Sequence, residues 1–126
     1  MAHNLTKEVT PEVALCSFSS PGSGAVIPVF DSGTFTPTIS GAIITLAAGY
    51  EYHIISSTSA ISLPSTVTHV VNGVSETGYA IISTAFASGL DQIQSSIIAD
   101  SSVSFYISCN GATGVNSRIQ IWRFPL

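Results

Sequence analysis

The stretch Ser101-Ser102-Val103-Ser104-Phe105-Tyr106-Ile107-Ser108-Cys109 alternates apolar and polar residues from Val103 onward without a break. Val103, Phe105, Ile107 and Cys109 share one parity; Ser104, Tyr106 and Ser108 share the other. A period of two lets a pleated strand bury one face and wet the other, whereas a helix would scatter the same residues around its surface. The segment therefore reads as a strand, and Asn110-Gly111 beyond it as a hairpin-type turn. Working back along the chain, Tyr50, Tyr52 and Ile54 alternate with Glu51 and His53 after a turn at Ala47-Ala48-Gly49. Thr66 to Asn72 is a further strand, closed by the strong turn signal Asn72-Gly73, and Thr77 to Ala85 is the next, closed at Ser88-Gly89. Asp91 to Ile98 is amphipathic and fits either a helix or a strand. Arg118 to Phe124 is the last strand, with Pro125 limiting its extension. Gly41 to Leu46 is a short apolar run. Ala25 to Asp31, around Pro28, and Thr34 to Ser40, around Pro37, suit edge or irregular strands, because proline cannot donate to a ladder.

Composition agrees with this pattern. Ile, Val and Thr together number 37 of the 126 residues, against six Leu and one Met. β-branched side chains fit a pleated surface and are mediocre in helices. About eight or nine short strands at a spacing of about 12 residues, with no convincing helix, define a β-sandwich or small barrel. No internal repeat of fixed period points to a propeller or solenoid. The only Trp, Trp122, follows both cysteines, so the Cys-Trp-Cys core of an immunoglobulin sandwich is absent. The expected fold is an all-β, jelly-roll-like antiparallel β-sandwich over residues 25–126, with a short extended N-terminal arm.

That arm spans residues 1–24. It holds Lys7, Glu8 and Glu12, the breaks at Pro11 and Pro21, and a Ser/Gly hinge ending in Pro21-Gly22-Ser23-Gly24. Its apolar residues Leu5, Val9, Val13, Leu15 and Phe18 do not show the alternation expected of a sandwich strand, and they are the candidate partner-binding residues. The competing reading makes Val13 to Phe18 the first strand of the sandwich.

Charged residues are only 8% of the chain, against roughly 25% in a typical soluble domain. Ser and Thr, 33 in all, supply the polarity instead. Neutral β surfaces associate, so much of the surface is expected to be covered in the working state, by copies of the chain or by another partner. Three basic residues, Lys7, Arg118 and Arg123, and a net charge of −4 exclude a nucleic-acid binder that works through phosphate contacts. No apolar run approaches the ~20 residues of a membrane-spanning helix, and Met1 to Thr10 shows no signal peptide, so Asn4-Leu5-Thr6 is read as a chance sequon.

Convergent chemistry is not legible. His3, His53 and His69 are far apart, and no His/Cys/Asp/Glu spacing predicts a metal site. Glu51, His53 and His69 would form a metal- or pH-sensitive cluster only if their strands were neighbours. The seven carboxylates are isolated along the chain, without the clustering of a calcium loop. There is no Gly-x-Ser-x-Gly elbow and no phosphate-binding loop with its Lys. Cys109 is expected as a buried thiol on the inner strand face; a bridge to Cys16 is the alternative, though nothing marks an oxidising compartment. No catalytic, cofactor-binding or metal-binding residue is assigned, no cofactor is expected, and the chain is read as a non-enzyme.

A small, neutral, Ser/Thr/Ile-rich all-β chain with a short N-terminal arm resembles the accessory virion proteins of tailed bacteriophages, whose capsid decoration or cement proteins are often jelly rolls of this size. The segment Ile44-Thr45-Leu46-Ala47-Ala48-Gly49-Tyr50-Glu51-Tyr52 is similar to the strand-Gly-Tyr-strand of trimeric jelly rolls in the tumour-necrosis-factor and complement-like group. The resemblance covers residues 25–124 in overall pattern. It implies a structural virion protein on the capsid exterior, made in the host cytoplasm, whose partners are the major capsid protein and copies of itself as a dimer or trimer. It transfers no catalytic residues. The alternative it leaves open is the receptor-binding head of a fibre or spike that recognises a host glycan or protein. Only about 24 residues precede the expected sandwich, where a fibre head would follow a long shaft, and that favours decoration.

Overall fold

A computed structural model describes residues 10–18, 22–59, 65–72, 82–85, 90–112 and 117–126. Among these residues there are eleven strands: β1 (Glu12–Phe18), β2 (Gly22–Ala25), β3 (Val29–Gly33), β4 (Thr38–Ser40), β5 (Ile43–Leu46), β6 (Tyr50–Ser59), β7 (Ser65–Val71), β8 (Ile82–Ala85), β9 (Leu90–Ala99), β10 (Val103–Ala112) and β11 (Ser117–Pro125). One sheet runs β3-β1-β11-β6-β9 and the other β4-β5-β10-β7-β8, with every pairing antiparallel. Successive strands repeatedly cross from one sheet to the other, as a jelly roll requires. The chain is an all-β jelly-roll sandwich, as the alternation predicts.

β10 organises the second sheet. On one edge its first half pairs with β5 (Phe105 opposite Ile44) and its second half with β2 (Ser108 opposite Ala25); its other edge carries β7. Val103, Phe105, Ile107 and Cys109 are all buried, while Ser104, Tyr106 and Ser108 are half-buried. They meet Ala14, Cys16 and Phe18 of β1, Tyr52 and Ile54 of β6, Ile93 and Ile97 of β9, and Ile119 and Ile121 of β11 in one core. Both cysteines are buried and neither forms a disulfide.

The edge strands β3 and β4 each begin just after a buried proline, Pro28 and Pro37. The missing N–H of proline is harmless there and blunts the strand start against further pairing. Gly33 closes β3 against β1, where the register shifts between Leu15 and Cys16. A Cβ at Gly33 would run into the Val13 carbonyl and the Ala14 Cα, so only glycine permits this approach. Asn72 ends β7 at φ 50°, a conformation asparagine tolerates, and its side-chain oxygen accepts from the Ser104 amide at 3.0 Å.

Three expectations are corrected. The sandwich begins at Glu12, not at Ala25: β1 is an inner strand between β3 and β11, and Phe18 is a core residue, not a partner-binding one. The period of two is present in β1, but small Ala14 and Cys16 take the buried parity and larger Val13 and Leu15 the outward one, which disguised it. The Ser/Gly hinge is not a linker either, since Gly22 to Ala25 pair with β10. Asn110-Gly111 is not a turn; β10 continues through it to Ala112, with a register shift opposite β2 that absorbs the extra residue. Asp91 to Ile98, open between helix and strand, lies in β9, where its ladder to β6 runs from Leu90 to Ala99.

Deleting residues 2–20 removes β1 from the interior of its sheet. Far-ultraviolet circular dichroism is expected to show an unfolded or insoluble product, not a folded sandwich lacking an arm. Phe105→Ala, at a side chain with no exposed surface, is expected to cost about 3–5 kcal/mol in urea unfolding.

Candidate interaction face

The outward face of the β3-β1-β11-β6-β9 sheet is built by register. In one row Leu15 stands opposite Gln120, Gln120 opposite Ile55, and Ile55 opposite Gln94. In the next, Val13, Trp122, His53 and Ser96 follow one another across four strands. Phe124, Glu51 and Ile98 form the third. Each of these residues has the parity opposite to a buried neighbour, so the alternation that fills the core also fixes this face. Leu15 is 39% exposed and Ile98 55%, and Val29, beside Ser17 on the edge strand, is 59% exposed.

The polar groups are arranged among these apolar ones. His53 Nε2 lies 2.8 Å from Glu51 Oε2 and its Nδ1 3.3 Å from Ser96 Oγ, while the ring meets Phe124 edge-on at 5.4 Å. The Trp122 indole N–H donates to Gln120 Oε1 at 3.2 Å. A depression of about 220 Å³ is lined by Leu15, Asp31, Ser32, Arg118 and Gln120 among others. It is smaller than the roughly 300–1,000 Å³ typical of small-molecule sites.

At one end of the sandwich, Arg123 locks three segments together. Its Nε donates to Glu12 Oε1 at 2.7 Å, and its guanidinium stacks 3.8 Å from the Phe35 ring and 4.2 Å from the Tyr50 ring. Burial raises the pKa of Tyr52, whose hydroxyl donates to the Ala47 carbonyl at 3.0 Å.

Neither Cys16 nor His69 is placed for nucleophilic chemistry. Burial, with help from Asp31, pushes the Cys16 thiol up to about 11, so it stays protonated. His69 lies within hydrogen-bond distance of two serine hydroxyls, but all three side chains are sealed in the core, with no more than 1% of their surface exposed. Glu51 and His53 do sit together, but His69 points into the interior, so the cluster of Glu51, His53 and His69 does not form. Among the described residues no three His, Cys, Asp or Glu side chains gather as metal ligands.

Of the five candidate partner-binding residues, the structure brings Val13 and Leu15 together on the outward face and places Phe18 in the core; Leu5 and Val9 lie outside the described residues. Ile55, Ile98, Trp122 and Phe124 complete the face and were not singled out from sequence. Their signal was present, because Trp122 and Gln120 carry the opposite parity to Ile119 and Ile121.

No protein-family model matches the sequence, and no curated protein matches it. Solved structures do share the fold. Murine APRIL superposes with a TM-score of 0.57 at 12% identity, over 93% of this chain and 100% of that one. PRD1 vertex protein P5 superposes with a TM-score of 0.54 at 15% identity, over 94% of this chain and 99% of that one. What the chain shares with both is the fold, the antiparallel jelly-roll sandwich described above.

Replacing Arg123 by Ala is expected to lower stability by about 2 kcal/mol, since it removes a half-buried ion pair and two cation–π contacts. Arg123→Lys should recover only part, because an ammonium cannot stack as a planar fork does. Thermal or urea unfolding of the two variants checks both statements.

Proposed function

We propose that this chain is a structural protein of a bacteriophage virion, a decoration or cement protein that binds the shell exterior and self-associates as a dimer or trimer, and that it is not an enzyme. The likeness to PRD1 vertex protein P5 carries the proposal, because it pairs this fold with a virion protein. The outward face of the first sheet supports it: an aromatic and aliphatic cluster sits among mostly uncharged polar groups, with one Glu–His pair inside it and Asp31 and Arg118 toward the β3 side. Interfaces of this kind concentrate their energy in a few aromatic anchors, and Trp122 is the natural one. Val13 and Leu15 belong to the same contact. Leu5 and Val9, upstream of β1, extend it onto the partner. The partners in this reading are the major capsid protein and further copies of the chain.

A second reading, the head of a spike or fibre that recognises a host glycan or protein, is favoured by the same neighbour's being a vertex protein. Incubating the purified protein with empty shells and, separately, with host cells separates the two. Co-sedimentation with shells supports decoration; adsorption to cells without shell binding supports the head. In analytical ultracentrifugation the chain is expected to sediment as an oligomer, and Trp122→Ala to weaken self-association at least tenfold. A monomer at every concentration, with no affinity for shells or cells, rejects both readings.

A further inference from the structure

His69 on β7 has no exposed surface. Its ring reaches across the interior to the opposite sheet, with Nε2 2.6 Å from Ser56 Oγ on β6 and Nδ1 2.7 Å from Ser95 Oγ on β9. β6 and β9 are neighbours in their ladder, where Ser56 stands opposite Ile93 and Ser95 opposite Ile54. The two serines are therefore diagonal, and one imidazole ties two strands of the first sheet to a strand of the second. The Phe105 ring of β10 packs against the imidazole at 5.1 Å with the planes at 78°, which fixes its orientation.

The chemistry of this bridge suits a neutral ring. Neutral imidazole has one N–H donor and one acceptor nitrogen, and a serine hydroxyl can complement either, so both nitrogens are satisfied. A second proton turns both nitrogens into donors. The hydroxyl that had been donating must then swing round to accept, and its own hydrogen loses its acceptor. Among the described residues no carboxylate stands beside the new charge. The titratable groups seen buried on the packed strands, besides His69, are Tyr52 of β6 and Cys109 of β10, both neutral in acid. Glu51 and His53 of β6 are on the outward face. β7 and β8 contain no ionisable residue besides His69 itself. The acid of β9, Asp91, is four positions from Ser95, about 13 Å along the strand.

We propose that Ser56–His69–Ser95 is an acid-sensitive latch between the two sheets, closed while the imidazole is neutral and released by its protonation, so that the sandwich loses stability in mildly acidic solution. Burial supports this by lowering the His69 pKa from 6.5 to about 4. The folded pKa lies below the unfolded one, so the latch acts in full above pH 6.5, and its contribution drains away as the pH falls toward 4. Across that window the unfolded ring holds its proton about 300-fold more tightly than the folded ring. The folding constant drops by up to the same factor, about 3 kcal/mol.

Two measurements on the intact chain test the latch. In the first, the His69 ring resonances of the native protein are followed by NMR as the pH is lowered. The ring is expected to stay neutral until the pH is below about 5, and a midpoint near 6.5 overturns the proposal. In the second, urea unfolding is compared at pH 6.5 and pH 4 for the wild type and for the triple variant Ser56→Ala, His69→Phe, Ser95→Ala. The variant replaces the bridge with apolar contacts and leaves every carboxylate in place. The wild-type folding constant is expected to fall about 80-fold more than that of the variant, because the unfolded ring is already half protonated at pH 6.5 and the folded ring only half protonated at pH 4; equal losses overturn the latch. If the variant does not fold, the NMR titration decides alone.

Discussion

Phe105 is the side chain over which both sheets close. It has no exposed surface, and on its own strand ladder it lies between Ile44 of β5 and Val71 of β7. β10 holds β5 and β2 on one edge and β7 on the other, so the second sheet is assembled around this strand. The first sheet is held to it by burial of the facing row of Ile54, Ile93, Ile97, Ile119 and Ile121. Because side chains alternate strictly along each strand, filling this interior also dictates what remains outside. The outward face of the first sheet is thus a consequence of the core, with its rows set by the same registers.

The two faces of that sheet handle polarity differently. Inside, one imidazole and two serines bridge the sheets, and every ring nitrogen is paired. Outside, Glu51 and His53 pair in the midst of Trp122, Phe124 and Ile98, where solvent or a partner can reach them. With charge at only 8% of the chain, few groups keep such a face from associating. The end clamp at Arg123 places its single cation between two rings and a carboxylate, so that charge too is spent on holding segments together and contributes little to solubility.

Much of the fold was legible along the chain because a period of two is a local property. Val103 to Cys109 and Tyr50 to Ile54 show their buried parity directly, and Pro28 and Pro37 mark the approaches to edge strands. β1 was harder, since its buried parity is carried by Ala14 and Cys16 while the bulkier Val13 and Leu15 face outward. Asn110-Gly111 has the composition of a tight turn, yet the ladder to β2 carries β10 through it. In both places cross-strand pairing outweighed the local signal, as it does wherever a ladder supplies several hydrogen bonds against one turn's preference.

The sequence by itself determined that the chain is all-β, which residues of its clearest strands turn inward, and that its surface is unusually poor in charge. Only the tertiary structure decided which of those residues meet. Ser56 and His69 are 13 residues apart, His69 and Ser95 26, and Glu12 and Arg123 111. Alternation states that a side chain faces inward; it carries no information about what stands opposite. That is set by which strands pair, in what register, and how two sheets fold over one another, and these depend on the free energy of the whole interior.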